Sequence, residues 1–144
     1  MIIRKASRKD FEEISEIIKE EYGKRPYNER WTISNAVKTL DYYSNWGRIY
    51  VAEIDKKIVG FMVIHKEFYN HGPKLHIKEI AVNSRFQGKG VGKALMEKAE
   101  EFAKNHNIKT IYLFTSSDAK AFEFYKKIGY SHSKKTVFLD KELR

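Results

Sequence analysis

Between residues 80 and 96 the chain reads Ile80-Ala81-Val82-Asn83-Ser84-Arg85-Phe86-Gln87-Gly88-Lys89-Gly90-Val91-Gly92-Lys93-Ala94-Leu95-Met96. The β-branched end of a strand gives way to a short polar loop, then to glycines at alternate positions, then to a helix. Downstream, Val91, Leu95, Ala99 and Phe102 recur every three or four residues, while Lys93, Glu97, Lys98, Glu100 and Glu101 take the other faces. That is an amphipathic helix. Glycines remove Cβ atoms, so a ligand can approach the main chain closely. The first turn of a helix leaves its N–H groups unbonded, and the dipole adds partial positive charge there. Such donors make a ready phosphate site, and Arg85, Lys89 and Lys93 add full positive charges around it. The stretch therefore predicts a diphosphate gripped by the backbone of Gln87, Gly88, Lys89, Gly90, Val91 and Gly92. The plainer alternative is a glycine turn that merely lets the helix pack closely.

Spacing separates this turn from two other phosphate loops. A Walker A loop needs four residues between its first Gly and the Gly-Lys pair, then Ser or Thr. Here Gly88 and Gly92-Lys93 are separated by three residues, and Ala94 follows. The glycines at 88, 90 and 92 also miss the G-x-G-x-x-G dinucleotide fingerprint.

Upstream, Leu75 to Val82 reads as a strand whose alternation slips. Leu75 and Ile77 share one phase, and Ile80 and Val82 the other. A one-residue change of phase is what a β-bulge produces, and bulges often re-aim groups beside active sites. Before it, Ile49–Ile54 and Ile58–Ile64, separated by Asp55-Lys56-Lys57, form a hairpin signature. Lys66 to Pro73 reads as a polar loop carrying Phe68, Tyr69 and His71. Nearer the start, Met1–Lys5 is a short strand. Ser7 and Asp10 open a helix with its apolar stripe at Phe11, Ile14, Ile18 and Tyr22, which Gly23 ends. A second helix runs from Thr32 or Ser34 towards Trp46. Downstream of the glycine turn, Ile108–Thr115 is a strand. Ser117 or Asp118 then caps a helix through Ile128, closed by Gly129. A short strand or hairpin through Val137, Phe138 and Leu139 follows. The order, β-α-α-β-β-β-α-β-α-β(-β), predicts one α/β domain over residues 1–144.

The composition agrees. At 144 residues and 17.0 kDa, with 42% hydrophobic residues, one packed core is within reach. There are no cysteines, which excludes disulfides, thiolate metal sites and a cysteine nucleophile, and fits a reducing compartment. No apolar run approaches the roughly 20 residues of a membrane helix, and Met1–Lys5 is too short an apolar stretch for a signal peptide. A soluble, cytoplasmic protein without a metal is expected. The net charge of +9 draws in anions without naming one. Because the basic residues are spread along the chain among glutamates, a solvated Lys/Glu surface is favoured over a nucleic-acid patch.

The residues from Ile80 to Met96 resemble the coenzyme A-binding motif of GNAT-superfamily N-acetyltransferases, of the form Gln/Arg-x-x-Gly-x-Gly/Ala, met by Gln87, Gly90 and Gly92. Ala121-Phe122-Glu123-Phe124-Tyr125-Lys126-Lys127-Ile128-Gly129-Tyr130 resembles the family's second signature, Phe-Tyr-x-Lys-x-Gly-Phe/Tyr. Both stand in the family's order, and the element order matches over nearly the whole chain. The resemblance implies a mixed, mostly antiparallel sheet of six to seven strands flanked by about four helices. It implies transfer of an acetyl group from acetyl-coenzyme A to a primary amine of a small molecule, peptide or protein, with a homodimer as one assembly. An acyl-coenzyme A sensor and a basic nucleic-acid-binding domain without activity stand as alternatives. Ribosomal-protein N-terminal acetyltransferases resemble this architecture too, but their strand glutamate would fall near Phe114, which argues against that subclass.

Acetyl transfer requires a neutral amine, although a lysine-type amine has a pKa of about 10.4. It also requires donors for the developing oxyanion and a proton for the leaving thiolate. The resemblance places the oxyanion donor on the main chain of the bulged strand, around Ala81 or Val82 beside Ile80. It matches Tyr125 to the family tyrosine that protonates the thiolate; a buried core aromatic is the other reading of that residue. Glu79 is the first candidate base and His76 the second, while water alone or two solvent-facing strand residues stay open. At the start of the helix that runs through Ile128, where the family commonly has Asn on the pantetheine arm, this chain has Asp118, an acceptor that cannot donate when ionised. Lys93 completes the set around the cofactor.

Overall fold

The computed structural model describes residues 1–143. Its elements follow from two periodicities, two in the strands and 3.6 in the helices. The strand β1 (Ile2–Lys5) leads into helices α1 (Phe11–Tyr22) and α2 (Ile33–Ser44). Three strands follow, β2 (Arg48–Ile54), β3 (Lys57–Tyr69) and β4 (Gly72–Val82). Helix α3 (Val91–Asn105), the short strand β5 (Ile111–Leu113) and helix α4 (Lys120–Lys127) complete the order. The chain divides into two compact units, Met1–Phe114 and a second that begins at Thr115. The first holds the sheet, in the order β1-β2-β3-β4-β5. All its neighbours are antiparallel except β4 and β5.

Each face of the sheet carries its own helices. Phe11, Ile14, Ile18, Leu40 and Tyr43 from α1 and α2 form one core cluster with Ile49, Val51, Phe61 and Val63. The alternate positions look the other way, towards α3. There Gly60 does a specific job: a Cβ on it would stand 3.2 Å from Val91 Cγ1 and 3.3 Å from Leu95 Cδ1. The missing side chain lets α3 lie directly on β3.

The local signals act largely as the residues predict. Thr32 Oγ1 caps α2 by accepting from the Asn35 N–H at 3.1 Å. Asp55 and Lys56 turn the β2–β3 hairpin with φ of 49° and 64°, the left-handed pair a two-residue turn demands. The Asp10 carboxylate accepts from the Ser7 N–H at 2.8 Å and from Arg4 at 2.9 and 3.0 Å. Burial opposes this ionisation, but the Arg4 guanidinium outweighs it and lowers the Asp10 pKa to about 2.

Three expectations change. The residues from Lys66 to Pro73 are not a loop. Glu67 pairs Lys74 and Tyr69 pairs Gly72, so beyond Leu75 β3 and β4 extend as a two-stranded ribbon that turns at Asn70-His71. Its polar and aromatic side chains have no core to alternate against, so the period-2 signal is weak there. The sheet has five strands rather than six or seven. Val137, Phe138 and Leu139 form no strand and are exposed. Asp118 does not cap α4, whose N-cap is Ala119; the Asp118 N–H turns instead onto Ser116 Oγ at 3.1 Å.

Candidate functional site

The slipped alternation of β4 is a bulge. Val63 pairs Glu79 while its neighbour Ile64 pairs Ile77, leaving Lys78 without an opposite number. The extra residue brings Leu75, Ile77, Ile80 and Val82 onto the same face, because Ile77 opposes Ile64, Ile80 opposes Met62 and Val82 opposes Gly60. Glu79 and Ala81 point to the α1–α2 side, and His76, opposite His65, lies with them.

Beyond the bulge, β4 has an open edge. Strand β5 pairs only with Leu75, His76 and Ile77, so Lys78 to Val82 have no neighbour on that side within the first unit. The Asn83 N–H donates to Val59 O at 2.8 Å. Main-chain groups alternate sides along an antiparallel strand, so Ala81 also faces β3, whereas Ile80 and Val82 turn their N–H groups to the open edge. Of the two residues expected to carry an oxyanion donor, Val82 has the matching direction.

The strand then feeds the glycine turn. Asn83 Oδ1 accepts from the Arg85 N–H at 3.0 Å, opening a single turn of 3-10 helix over Ser84–Phe86. Glu21 at the end of α1 holds that turn: its carboxylate accepts from the Ser84 N–H at 3.1 Å and from Lys24. Gln87 reaches back to Val82 O at 2.8 Å, clamping the loop to the strand end. Gly88 and Gly90 have φ of 74° and 86°, a conformation that strains any side chain, and a Cβ on either would meet nothing within 4 Å. The space above both glycines is open. Gly90 is the N-cap of α3, and no side chain caps that end. Arg85, Lys89 and Lys93 are exposed around it, with Lys89 Nζ lying 5.4 Å from the Phe86 ring. An anion could thus meet free amides and full charges together.

On the α1–α2 side, Glu79 is held by two phenols. Tyr22 donates to its Oε1 at 2.8 Å and Tyr43 to its Oε2 at 2.7 Å. Burial first, and the Glu79 charge second, push the Tyr43 phenol well above its ordinary range, so it stays a donor. Sequence reading placed Tyr22 on a core face and missed this clamp, because its partners lie 57 and 36 residues apart. His76 stacks on Tyr112 with ring centroids 4.6 Å apart and planes 8° apart. Burial, then Lys78, lower its pKa. A groove of about 600 Å³ opens beside it, bordered by Tyr42, Tyr43, Trp46, His65 and Lys78.

In the second unit, Tyr125 is buried on α4. Gly129, at φ 101°, ends that helix: its N–H donates to Lys126 O at 3.2 Å and the Tyr130 N–H to Tyr125 O at 2.9 Å. This is the Schellman pattern, with the Tyr125 and Tyr130 rings 6.1 Å apart completing its apolar contact. The Tyr-x-Lys-x-Gly spacing is thereby a device that fixes the backbone of Tyr125. Asp118 is exposed in the turn before α4.

Among the described residues no cluster of His, Asp or Glu could hold a metal ion, and no helix is long and apolar enough to cross a membrane. The acetyltransferase (GNAT) family model matches residues 11–130. An uncharacterized N-acetyltransferase of Methanocaldococcus jannaschii is 35% identical over 136 residues, covering 93% of this chain and 80% of that protein. A second uncharacterized N-acetyltransferase of the same organism is 35% identical over 85 residues, and the match spans only 38% of its length. A solved structure, described as a possible acetyltransferase from Clostridium difficile 630, superposes with a TM-score of 0.84 over 99% of this chain and 98% of its own. At 15% identity that likeness establishes the fold alone.

Proposed function

Because the chain belongs to the GNAT family of acetyltransferases, we propose that it moves an acetyl group from acetyl-coenzyme A to a primary amine. The match runs from residue 11 to residue 130 and so across both compact units, which supports treating residues 1–144 as one transferase domain. The observation that carries the reading is the uncapped helix start at Gly90, reached directly from the open edge of β4.

The donor's diphosphate is assigned to the main-chain amides from Gln87 to Gly92, with Arg85, Lys89 and Lys93 supplying charge. Gly88 and Gly90 keep the approach clear. Ile80, Ala81 and Val82 border the pantetheine path along the open strand edge. Bound acetyl-coenzyme A supplies the acetyl group as an activated thioester. The Val82 N–H, turned outward, donates to the oxygen that gains negative charge. Glu79 takes a proton from the acceptor's ammonium, directly or through a water. His76 is second in line, since its ring is already engaged with Tyr112. As the neutral amine bonds to the acetyl carbon, the carbon–sulfur bond breaks and Tyr125 gives its proton to the departing sulfur. Of the two protons the nitrogen gives up, one replaces that of Tyr125 and the other goes to solvent. Asp118, exposed one residue before the helix N-cap, is assigned to the pantetheine arm as an acceptor.

Calorimetric titration with acetyl-coenzyme A, followed by a thiol-release assay across a panel of amines, tests this. One bound equivalent with amine-dependent thiol release is expected. Binding without release for any amine would leave an acyl-coenzyme A sensor; no binding would remove the site altogether.

A further inference from the structure

A bulge has a consequence for side chains as well as for backbone. In a regular strand, consecutive residues face opposite ways. Here Lys78 borders the groove together with Tyr43 and His76, and its charge acts on His76. Its neighbour Glu79 reaches the phenol of that same Tyr43. Two consecutive residues of opposite charge therefore look onto one side of the sheet. They do not neutralise each other, since no Lys78–Glu79 ion pair forms within 4.0 Å. Glu79 is bound by phenols, which leave its negative charge in place, and Lys78 enters no ion pair.

The other groups around the groove sharpen the picture. Glu67, the carboxylate in the groove's lining, is occupied by His65 at 3.0 Å, with His76 at 4.0 Å, while Glu79 lies behind Tyr43. Glu67 is poorly placed to serve a second cation. Tyr42 and Trp46 meet edge to face at 5.7 Å, and Trp46 lies 4.3 Å from the His65 ring, giving the groove an aromatic wall.

Resting on the transferase reading, we infer that this groove takes an α-amino acid as acceptor. Lys78 holds the carboxylate, Glu79 receives the amino group, and an apolar or aromatic side chain lies against Tyr42 and Trp46. An amine without a carboxylate leaves Lys78 unanswered, and a polyamine brings its second cation against it.

Thiol release from acetyl-coenzyme A is measured with tyrosine, tyramine and spermidine as acceptors, for the wild type and Lys78→Met. Separately, 3-phenylpropionate is titrated calorimetrically as a carboxylate that cannot react. A charged hydrogen bond at this position is worth about tenfold or more in affinity. Tyrosine should therefore exceed tyramine in kcat/KM by at least that factor, and Lys78→Met should remove the advantage, chiefly through KM. Phenylpropionate should bind the wild type and lose about tenfold with Lys78→Met. Tyramine or spermidine matching tyrosine would overturn the acceptor class while leaving the transferase intact. So would an equal loss for both aromatic amines in the variant. If no amine releases thiol, the transferase reading fails; phenylpropionate binding that depends on Lys78 would still support the groove, and its absence would end it.

Discussion

Tyr125 owes its place to a residue four positions on. Gly129 closes α4 and directs the Tyr130 N–H onto the Tyr125 carbonyl, so the phenol projects from a backbone that cannot fray. Replacing Tyr125 by Phe keeps the ring and removes only the hydroxyl. Thiol release should slow about 100-fold, while the dissociation constant of acetyl-coenzyme A changes less than about twofold; an unchanged rate would strip it of the acid role. Glu79→Gln asks the complementary question. An amide still offers one acceptor to the phenols of Tyr22 and Tyr43, but it cannot take a proton, so kcat should fall about 100-fold with acetyl-coenzyme A affinity preserved. Stability answers to a different carboxylate. Asp10 has a pKa of about 2 in the fold against 3.8 for the free group. A depressed acid stabilises the fold above its unfolded pKa and loses that contribution as pH falls through the folded value. The difference amounts to about 2 kcal/mol. Urea denaturation of Asp10→Asn should therefore show most of that deficit at pH 7 and little of it at pH 2. An equal deficit at both would assign the loss to packing instead.

At the scale of elements, the start of α3 has to be held both to the sheet and to its ligand. Gly60 secures the first, because a Cβ there would stand 3.2 Å from both Ala81 O and Val91 Cγ1. Gly60→Ala should cost about 1 kcal/mol or more by overpacking and displace the first residue of the helix, weakening acetyl-coenzyme A binding with it. Gly90→Ala has free space and only backbone strain, so its stability loss of about 1 kcal/mol should come without repacking. Thermal melts paired with calorimetry distinguish the two variants. The glycine turn, its helix and the bulge were all legible in the sequence, because each is a local rule written in neighbouring residues: alternate glycines, a 3.6-residue stripe, a one-step change of phase. What lay hidden depended on distant partners. The Tyr22–Glu79–Tyr43 clamp joins three elements, and a tyrosine at a core position gives no sign of the carboxylate its hydroxyl will meet. Lys66 to Tyr69 read as loop because a ribbon without a core beneath it has no face to alternate against. Asp118 had the right chemistry for an N-cap, but the helix starts one residue later, with Ala119 in the cap position.

Across the whole molecule the surplus of positive charge, +9, bears on how fast an anion arrives rather than on where it sits. Arg85, Lys89 and Lys93 stand around the glycine turn, and Lys24 bonds Ser84 just before it; the other basic residues act on it, if at all, through their field. Their field reaches it only where counter-ions allow. The screening length shrinks from about 30 Å at 0.01 M salt to about 8 Å at 0.15 M. If the distant lysines steer the cofactor, the association rate of acetyl-coenzyme A should fall about tenfold over that range, with dissociation nearly constant. Stopped-flow measurement of both rates decides the matter. Lys104→Glu, in the last turn of α3 and about 20 Å along the helix axis from Gly90, should lower association at low salt only. A salt effect lying mainly in the dissociation rate would instead place the electrostatics in direct contacts at the turn, leaving the remaining charge as solvated surface.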